Sequence, residues 1–194
     1  MKVVIIKYNA GNTQSVTYAL QRLGCEPIIT DDKEQILAAD KVIFPGVGEA
    51  STAMAYLKER RLDEVIKQLK QPTFGICLGL QLMCKHSEEN DTPCLGLFDI
   101  EVKRFPSVGL KVPQMGWNNI YDLKTPLFEG VEENEFAYFV HSYCAELSPF
   151  TAAKCKYASE FSAGLQRDNF YAVQFHPEKS AKTGAKVIEN FLKI

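Results

Sequence analysis

Apolar runs and amphipathic stretches alternate regularly over the first half of the chain. The apolar runs are rich in Val, Ile and Phe, which favours buried strands, and the amphipathic stretches have the period of a helix. Because strands separated by helices pair in parallel, the pattern predicts an α/β fold with a mostly parallel central sheet flanked by helices on both faces. The predicted strands are residues 3–8, 27–30, 41–44 and 73–76, and the predicted helices are 13–23, 50–60 and 62–69, with Gly24 as a stop signal and Asp31 or Asp32 as the cap of a further helix.

The second half of the chain has a different pattern. Between residues 96 and 174, β-prone runs are broken by Gly, Pro, Asp and Asn, which predicts mixed or antiparallel strands added to the same fold. A last helix is predicted over 182–192, and the polar residues 87–94 are predicted to form a loop too short to separate domains. We therefore expect one domain over residues 1–194. The predicted strands are 98–105, 119–121, 135–143, 151–157, 161–166 and 170–175.

The composition excludes several classes of protein. A net charge of −2 gives no electrostatic reason to expect a nucleic acid or an anionic membrane as partner. No apolar run reaches the length of a membrane helix, and the N-terminal run is too short for a signal peptide, so we expect a cytoplasmic protein. The six cysteines include no Cys-x-x-Cys pair, which favours free thiols over disulfides or a zinc site. We expect no metal and no other cofactor.

One cysteine stands at the centre of a Gly-x-Cys-x-Gly sequence, where the strand at 73–76 meets a helical pattern. A sharp turn at this junction would project the side chain of Cys77 as a nucleophile. Gly75 and Gly79 would let neighbouring backbone approach without a Cβ clash. A helix beginning at Leu78 would direct its positive end at the sulfur and favour the thiolate. The alternative is a buried structural cysteine at a tight strand–helix junction.

A histidine and a glutamate follow the last apolar run in the sequence His176-Pro177-Glu178. Pro177 biases His176 toward extended backbone, in which residues two apart lie on the same side. Glu178 could therefore hold one ring nitrogen of His176 while the other accepts a proton. With Cys77 they would form a catalytic triad of nucleophile, base and orienting carboxylate. Taken singly, His176 could be a satisfied histidine at a strand end, and Glu178 a solvated carboxylate.

The strand at 41–44 leads into a Pro-Gly-x-Gly loop. Such a loop can aim backbone N–H groups at a developing negative charge, as an oxyanion hole does. The donors we expect are the amides of Val47 and of Leu78, the residue after the nucleophile. An ordinary strand–helix turn and a phosphate cradle are the alternatives, although no Lys-Ser/Thr follows as in a P-loop.

These segments resemble the triad-type, class I glutamine amidotransferases, whose nucleophile motif is similar to residues 75–81 and whose His/Glu motif is similar to residues 176–178. Within that family, three stretches are similar to the glutaminase subunits of imidazole glycerol phosphate synthases. These stretches are residues 111–118, 138–143 and 174–180. The resemblance covers nearly the whole chain.

The resemblance implies a reaction and a partner. Cys77 would attack the side-chain amide of L-glutamine, and His176, oriented by Glu178, would protonate the departing ammonia and then activate water against the thioester. The ammonia would pass to a cyclase subunit, a (β/α)8 barrel, which would form imidazole glycerol phosphate and aminoimidazole carboxamide ribotide in histidine biosynthesis. The heterodimeric synthase would thus act as a lyase, and the isolated glutaminase would be slow if the partner must set the oxyanion loop.

The resemblance also implies roles for further residues. The substrate-binding positions would be Gly46, Gly48, Gln81, Ser142 and Tyr143, and the partner interface would include Asn12, Gln114 and Trp117. The chain departs from the family pattern at residues 7–12, at Gln114, where a histidine is common, and at Cys144, where an aromatic residue is common. These departures concern coupling to the partner rather than the triad.

Other interpretations remain open at this point. The glutaminase could serve the synthesis of anthranilate, aminodeoxychorismate or pyridoxal phosphate, although residues 111–118 argue against these. A non-catalytic relative would normally lack part of the triad, and an unrelated cysteine hydrolase would act on esters or peptides. His141 is a weaker candidate for the base than His176, because no carboxylate lies two residues away from it.

Overall fold

The computed structural model describes residues 1–9, 11–106 and 108–194. The alternating pattern of the first half folds as strands and helices in the predicted order, and the second half is mainly strands. In chain order the strands are β1 (Val3–Ile6), β2 (Ile28–Thr30), β3 (Lys41–Gly46), β4 (Thr73–Cys77), β5 (His86–Ser87), β6 (Thr92–Pro93), β7 (Glu101–Arg104), β8 (Gln114–Asn119), β9 (Phe136–His141), β10 (Tyr143–Ala145), β11 (Thr151–Lys156), β12 (Glu160–Arg167) and β13 (Phe170–Val173). The helices are α1 (Thr13–Arg22), α2 (Lys33–Leu37), α3 (Ala50–Glu59), α4 (Leu62–Gln68), α5 (Leu78–Met83) and α6 (Ala181–Lys193), and the 3-10 helices are Pro126–Phe128 and Pro177–Lys179.

A seven-stranded sheet forms the centre of the fold, with strand order β11-β12-β13-β4-β3-β1-β2. The five strands from β13 to β2 are parallel, and β12 and β11 extend the sheet in antiparallel orientation. The prediction of a mostly parallel sheet with added antiparallel strands is therefore confirmed. A four-stranded sheet of order β10-β7-β5-β6 and the two-stranded ribbon β8-β9 complete the β structure of the described residues.

The central strands are buried on both faces. Along β1, Val4 and Ile6 belong to one apolar cluster, while Val3 and Ile5 belong to another. This alternation follows from the two-residue period of a strand. Helices α2, α3 and α4 pack into the first cluster, and α1 and α6 pack into the second, so helices flank both faces as predicted. In the ranges that the structure describes, no helix is long and apolar enough to cross a membrane.

The structure differs from the predicted elements at residues 87–94. This segment is not a plain loop, because β5 and β6 pair there as an antiparallel hairpin. Asn90 and Asp91 both have positive φ, of 54° and 48°, at its turn. Short polar side chains tolerate this conformation, so polarity alone did not distinguish a tight hairpin from a loop.

Three further boundaries also differ. A strand runs over Gln114–Asn119 rather than over 119–121, and its exposed face and its Gln and Asn residues hide the strand pattern. The predicted strand 135–143 divides at Ser142 into β9 and β10, which belong to different sheets. The helix predicted to begin at Leu78 is short, because α5 ends at Met83 and the buried Cys84 follows it.

Candidate active site

Cys77 lies at the carboxyl end of β4, where the chain turns into α5. Its φ of 53° and ψ of −106° are strained for a residue with a side chain. A Cβ on Gly79 would overlap the carbonyl of Phe44, and a Cβ on Gly75 would come within 2.8 Å of the Met83 sulfur. The two glycines thus permit the close packing of α5 against β3 and β4 that the sequence predicted.

The Pro45–Gly48 loop lies directly beside this turn. The parallel pairing of β3 with β4 aligns Gly46 with Cys77. The hydroxyl of Tyr8 donates a hydrogen bond of 2.6 Å to the carbonyl of Pro45 and anchors the start of the loop. A Cβ on Gly46 would collide with that hydroxyl, and Gly48 has a φ of 108°. The loop geometry therefore requires glycine at both positions.

His176 and Glu178 follow β13, the neighbour of β4 on the other side. The Nδ1–H of His176 donates to Oε1 of Glu178 at 2.8 Å, and the side chains of both residues are buried. The second ring nitrogen is left for the Cys77 sulfur, and both residues line the same cavity. Cys77 and the His176–Glu178 pair, distant in the chain, thus converge because β4 and β13 are adjacent and parallel.

The electrostatics of the pair favour an imidazolium beside the sulfur. Burial lowers the pKa of the His176 ring, but the hydrogen bonds and charges of Cys77 and Glu178 outweigh it and raise this pKa from 6.5 to about 10. The surroundings of the ring therefore favour its protonated form. A protonated ring stabilises the thiolate form of its neighbour and can deliver a proton to a leaving group.

His141 faces the same cavity but has different properties. Its Nδ1–H donates to the carbonyl of Tyr143 at 2.8 Å, and aromatic rings of Phe105, Phe139 and Phe161 surround it. Burial, with a smaller contribution from the charge of His176, lowers the pKa of His141 to about 4. The ring is therefore neutral and has no carboxylate to orient it, as the sequence indicated.

A cavity of about 290 Å³ opens onto the sulfur. Its size is near the lower end of the range for small-molecule sites. Its lining includes the two expected oxyanion donors and the cysteine and histidine of the expected triad. It also includes four of the five expected substrate-binding residues and side chains from the segments around them. The lining residues are Val47, Gly48, Cys77, Leu78, Gln81, Glu89, Pro113, Val140, His141, Ser142, Tyr143, His176 and Lys179.

Comparison with known proteins agrees with this geometry. The family model for class-I glutamine amidotransferases matches residues 4–194. The subunit HisH of imidazole glycerol phosphate synthase from Bacteroides thetaiotaomicron is 60% identical over 196 residues, covering 100% of both chains. The protein of the same name from Escherichia coli is 45% identical with the same coverage. The chain belongs to the class-I glutamine amidotransferases, in the HisH family.

The fold is also that of more distant proteins. PurLQS from Thermotoga maritima superposes with a TM-score of 0.74 at 18% identity, covering 99% of this chain and 97% of that one. At this identity the likeness concerns the fold alone. The α/β sheet with its antiparallel extension is therefore shared well beyond the HisH family.

The candidate site contains three further residues that the sequence analysis did not select. Gln174 is fully buried and its Nε2 donates to the Cys77 sulfur at 3.6 Å. Ser180 donates to the His176 carbonyl at 2.6 Å and accepts from the Tyr138 amide, which fixes the backbone of the base. Gln174 lies two residues before His176, so the period of extended chain was an available signal for it. For Ser180 no such signal exists.

Glu89 is the third of these residues. It lies in the β5–β6 turn that was predicted to be a loop, and it lines the cavity. Its carboxylate accepts a hydrogen bond of 2.7 Å from the amide of Ala50, at the start of α3. Burial raises the pKa of this carboxyl above its usual value despite that hydrogen bond.

Two of the three residues expected at a partner interface have internal contacts. The side chain of Gln114 is 2% exposed, so it is not available at a surface. Its position facing inward from β8 follows from the alternation of the strand. Asn12 is half-buried, and its amide lies 3.4 Å from Oε1 of Glu178, where it supports the triad carboxylate. Trp117 is 52% exposed on β8, as an interface residue would be. Of the other departures from the family pattern, Lys7 is exposed and Cys144 is a buried free thiol.

Proposed function

We propose that this chain is the glutaminase subunit of an imidazole glycerol phosphate synthase. It hydrolyses L-glutamine to glutamate and passes the ammonia to a cyclase subunit, which forms imidazole glycerol phosphate and aminoimidazole carboxamide ribotide. The observation that carries the proposal is the convergence of Cys77 and His176 at one cavity, with Glu178 hydrogen-bonded to the His176 ring. The full-length identity to HisH subunits supports the partner and the pathway.

The first half of the reaction forms a thioester. The Cys77 sulfur attacks the carboxamide carbon of glutamine, and the C=O electrons move onto oxygen. His176 gives its proton to the amide nitrogen as the C–N bond breaks, and ammonia leaves. The catalytic role of Glu178 is to hold the ring by its Nδ1–H so that the other nitrogen faces the sulfur.

The second half releases glutamate. The now neutral His176 takes a proton from water, and the resulting hydroxide attacks the thioester carbon. The C–S bond then breaks, which restores the thiolate and the imidazolium. In both halves the negative oxygen would accept hydrogen bonds from the amides of Val47 and Leu78, which line the same cavity as Cys77.

Substrate binding uses the rest of the cavity. Both N–H groups of Gln81 are occupied, one by the carbonyl of Tyr143 at 2.9 Å and one by Gln174 at 3.1 Å. The oxygen of Gln81 is therefore the atom that it can offer to a donor on glutamine. Glu89 is a carboxylate suited to the α-ammonium group, and the backbone of Ser142 and Tyr143 would contact the amino-acid end. Gly46 and Gly48 would keep the loop close to the carboxamide.

The partner surface would include the ribbon β8-β9. Met115, Trp117 and Phe136 are each more than half exposed there, and exposed apolar side chains on one ribbon are typical of an interface. We propose that a (β/α)8-barrel cyclase binds here, that residues 1–194 form one amidotransferase domain, and that the complex works in the cytoplasm.

Glutamate release by the complex tests this function. The chain and the cyclase subunit of the same organism should co-purify, and the complex should release glutamate and form imidazole glycerol phosphate from glutamine. Cys77→Ala should abolish both activities while leaving the binding of the cyclase intact. Cys25→Ala, which removes a half-buried thiol that does not line the cavity, should preserve both activities. Unchanged turnover in Cys77→Ala would refute the proposal.

A further inference from the structure

We propose that Gln174 is a positioning residue for the nucleophile, because its side-chain amide donates a hydrogen bond to the Cys77 sulfur and Gln81 fixes it in that orientation. The role of Gln174 in turnover rests on the proposed glutaminase function, whereas the effect of its hydrogen bond on the Cys77 sulfur does not. Gln174 is fully buried in the segment after β13 that also carries His176. Gln174 is not a member of the triad.

The orientation of the Gln174 amide follows from the network that holds it. The carbonyl of Tyr143 can only accept, so the group that Gln81 turns toward it at 2.9 Å must be the NH2. The second hydrogen of that NH2 then meets Gln174 at 3.1 Å, where only the amide oxygen can accept it. The NH2 of Gln174 is thereby directed to the sulfur at 3.6 Å.

The donated hydrogen bond distinguishes the two protonation states of the sulfur. A thiolate accepts the hydrogen bond from Gln174, and hydrogen bonds to an ionised acceptor are roughly twice as strong as neutral ones. A thiol would instead donate to the carbonyl of Val140, at 3.9 Å. Gln174 therefore favours the reactive form, and Val140 favours the unreactive one.

The other groups near the sulfur are unaffected by a change at Gln174. The Tyr8 hydroxyl donates to Pro45, and burial raises the pKa of Tyr8 well above its usual value, so this group stays neutral. His141 is also neutral. Glu178 acts through the His176 ring, and the remaining charged groups that line the cavity are Glu89 and Lys179. A pH effect of a Gln174 substitution can thus be assigned to the lost donor.

The same network joins the nucleophile to the substrate side of the cavity. Gln81 lines the cavity and contacts Gln174, which contacts the sulfur. A substrate that engages the oxygen of Gln81 therefore acts on the residue that orients the Gln174 donor. Substrate binding and nucleophile orientation depend on one chain of hydrogen bonds.

Alkylation of Cys77 tests the proposal without glutamine. In Gln174→Met the donor is lost while the length of the side chain is kept. The rate of alkylation with iodoacetamide is followed by peptide mass spectrometry from about pH 5 to 10. The pH profile of this rate should be displaced upward by roughly one to two pH units, which corresponds to about a ten- to hundredfold effect. Asn190→Leu is the matched control, since it removes another buried amide whose contacts are with Leu127 and Glu129. Its profile should match that of the unaltered chain.

A second variant keeps the test decisive if Gln174→Met folds poorly. Gln174→Glu preserves the acceptor for Gln81 but replaces the donor by a carboxylate, so its profile should move further than that of Gln174→Met. In the complex with the cyclase, Gln174→Glu should lower kcat for glutamate release more than it changes KM. A wild-type alkylation profile in the Gln174 variants would overturn the proposal. If the unaltered complex releases no glutamate, the function fails, but the alkylation result still decides the role of Gln174.

Discussion

The imidazole ring of His176 is the group whose chemistry depends most on its surroundings. Burial would favour a neutral ring, yet Glu178 on one side and the sulfur of Cys77 on the other raise its pKa to about 10. The same burial, without a carboxylate partner, leaves His141 neutral in the same cavity. Partners rather than exposure therefore decide which histidine carries a charge. The residue types predicted this choice, because of the two histidines in this cavity only His176 has a glutamate two positions away.

Titration of the His176 ring by NMR tests this electrostatic account. In the unaltered chain the ring should stay protonated until the pH approaches 10, since the raised pKa reflects partners that stabilise the charged form. Cys77→Ala removes the hydrogen bond and the charge of the sulfur, so the pKa of His176 should fall. A ring that already titrates near pH 6.5 in the unaltered chain would contradict the account.

At the scale of elements, the short hairpin β5-β6 has two roles that its sequence conceals. It carries Glu89 to the cavity, and it is tied to β7 through His86. The ring of His86 lies 2.9 Å from Glu101 on one side and 2.8 Å from Asp91 on the other. Despite some burial, the hydrogen bonds of Asp91 and then of Glu101 raise the pKa of His86 above its usual value. The hairpin is thus held by a charge that responds to pH.

Thermal unfolding as a function of pH tests the His86 contact. Because the folded pKa exceeds the unfolded value of 6.5, its contribution to stability is complete below that pH and is lost as pH rises through the folded pKa. The difference in Tm between the unaltered chain and His86→Gln should therefore be largest in mild acid and shrink in alkali. A difference that is constant with pH would show that the ring contributes by packing alone.

The sequence predicted the elements whose pattern is governed by burial. The central strands and the turn at Cys77 have strong apolar or glycine signals, and the structure has them at nearly the predicted bounds. β8 exposes its apolar residues and the hairpin β5-β6 is polar, so neither has the burial pattern of a core strand. Their strand structure depends on pairing with β9 and β7, which no local pattern reports. The inward orientation of Gln114 and the contact of Asn12 with Glu178 depend on the same long-range packing.

At the scale of the whole molecule, the sheet order assembles the site. β4 lies between β3 and β13, so the nucleophile turn has the Pro45–Gly48 loop on one side and His176 on the other. Ligand sites at the carboxyl ends of parallel strands are a general property of open α/β sheets. The ribbon β8-β9 connects this site to the surface, because the amide of His176 donates to the carbonyl of Tyr138 on β9. An interface on the ribbon would therefore include a strand that is hydrogen-bonded directly to the backbone of His176.

Affinity for the cyclase subunit tests the proposed surface. Trp117→Ala removes a large exposed ring from β8, and truncation of such an anchor typically costs about 2 kcal/mol or more, roughly a thirtyfold rise in Kd. Leu37→Ala is the matched control, since Leu37 is an exposed apolar residue on α2. Isothermal titration calorimetry should show weaker binding only for Trp117→Ala. Equal affinities in the two variants would locate the interface elsewhere.

Selective labelling of the nucleophile measures the convergence of the triad most directly. The complex with the cyclase is exposed to a chloroketone analogue of glutamine, and the labelled peptide is identified by mass spectrometry. The account predicts that Cys77 reacts first among the six cysteines, that glutamine protects it, and that His176→Asn slows the reaction strongly. Labelling of another cysteine in preference to Cys77, or labelling that neither glutamine nor His176→Asn affects, would contradict it.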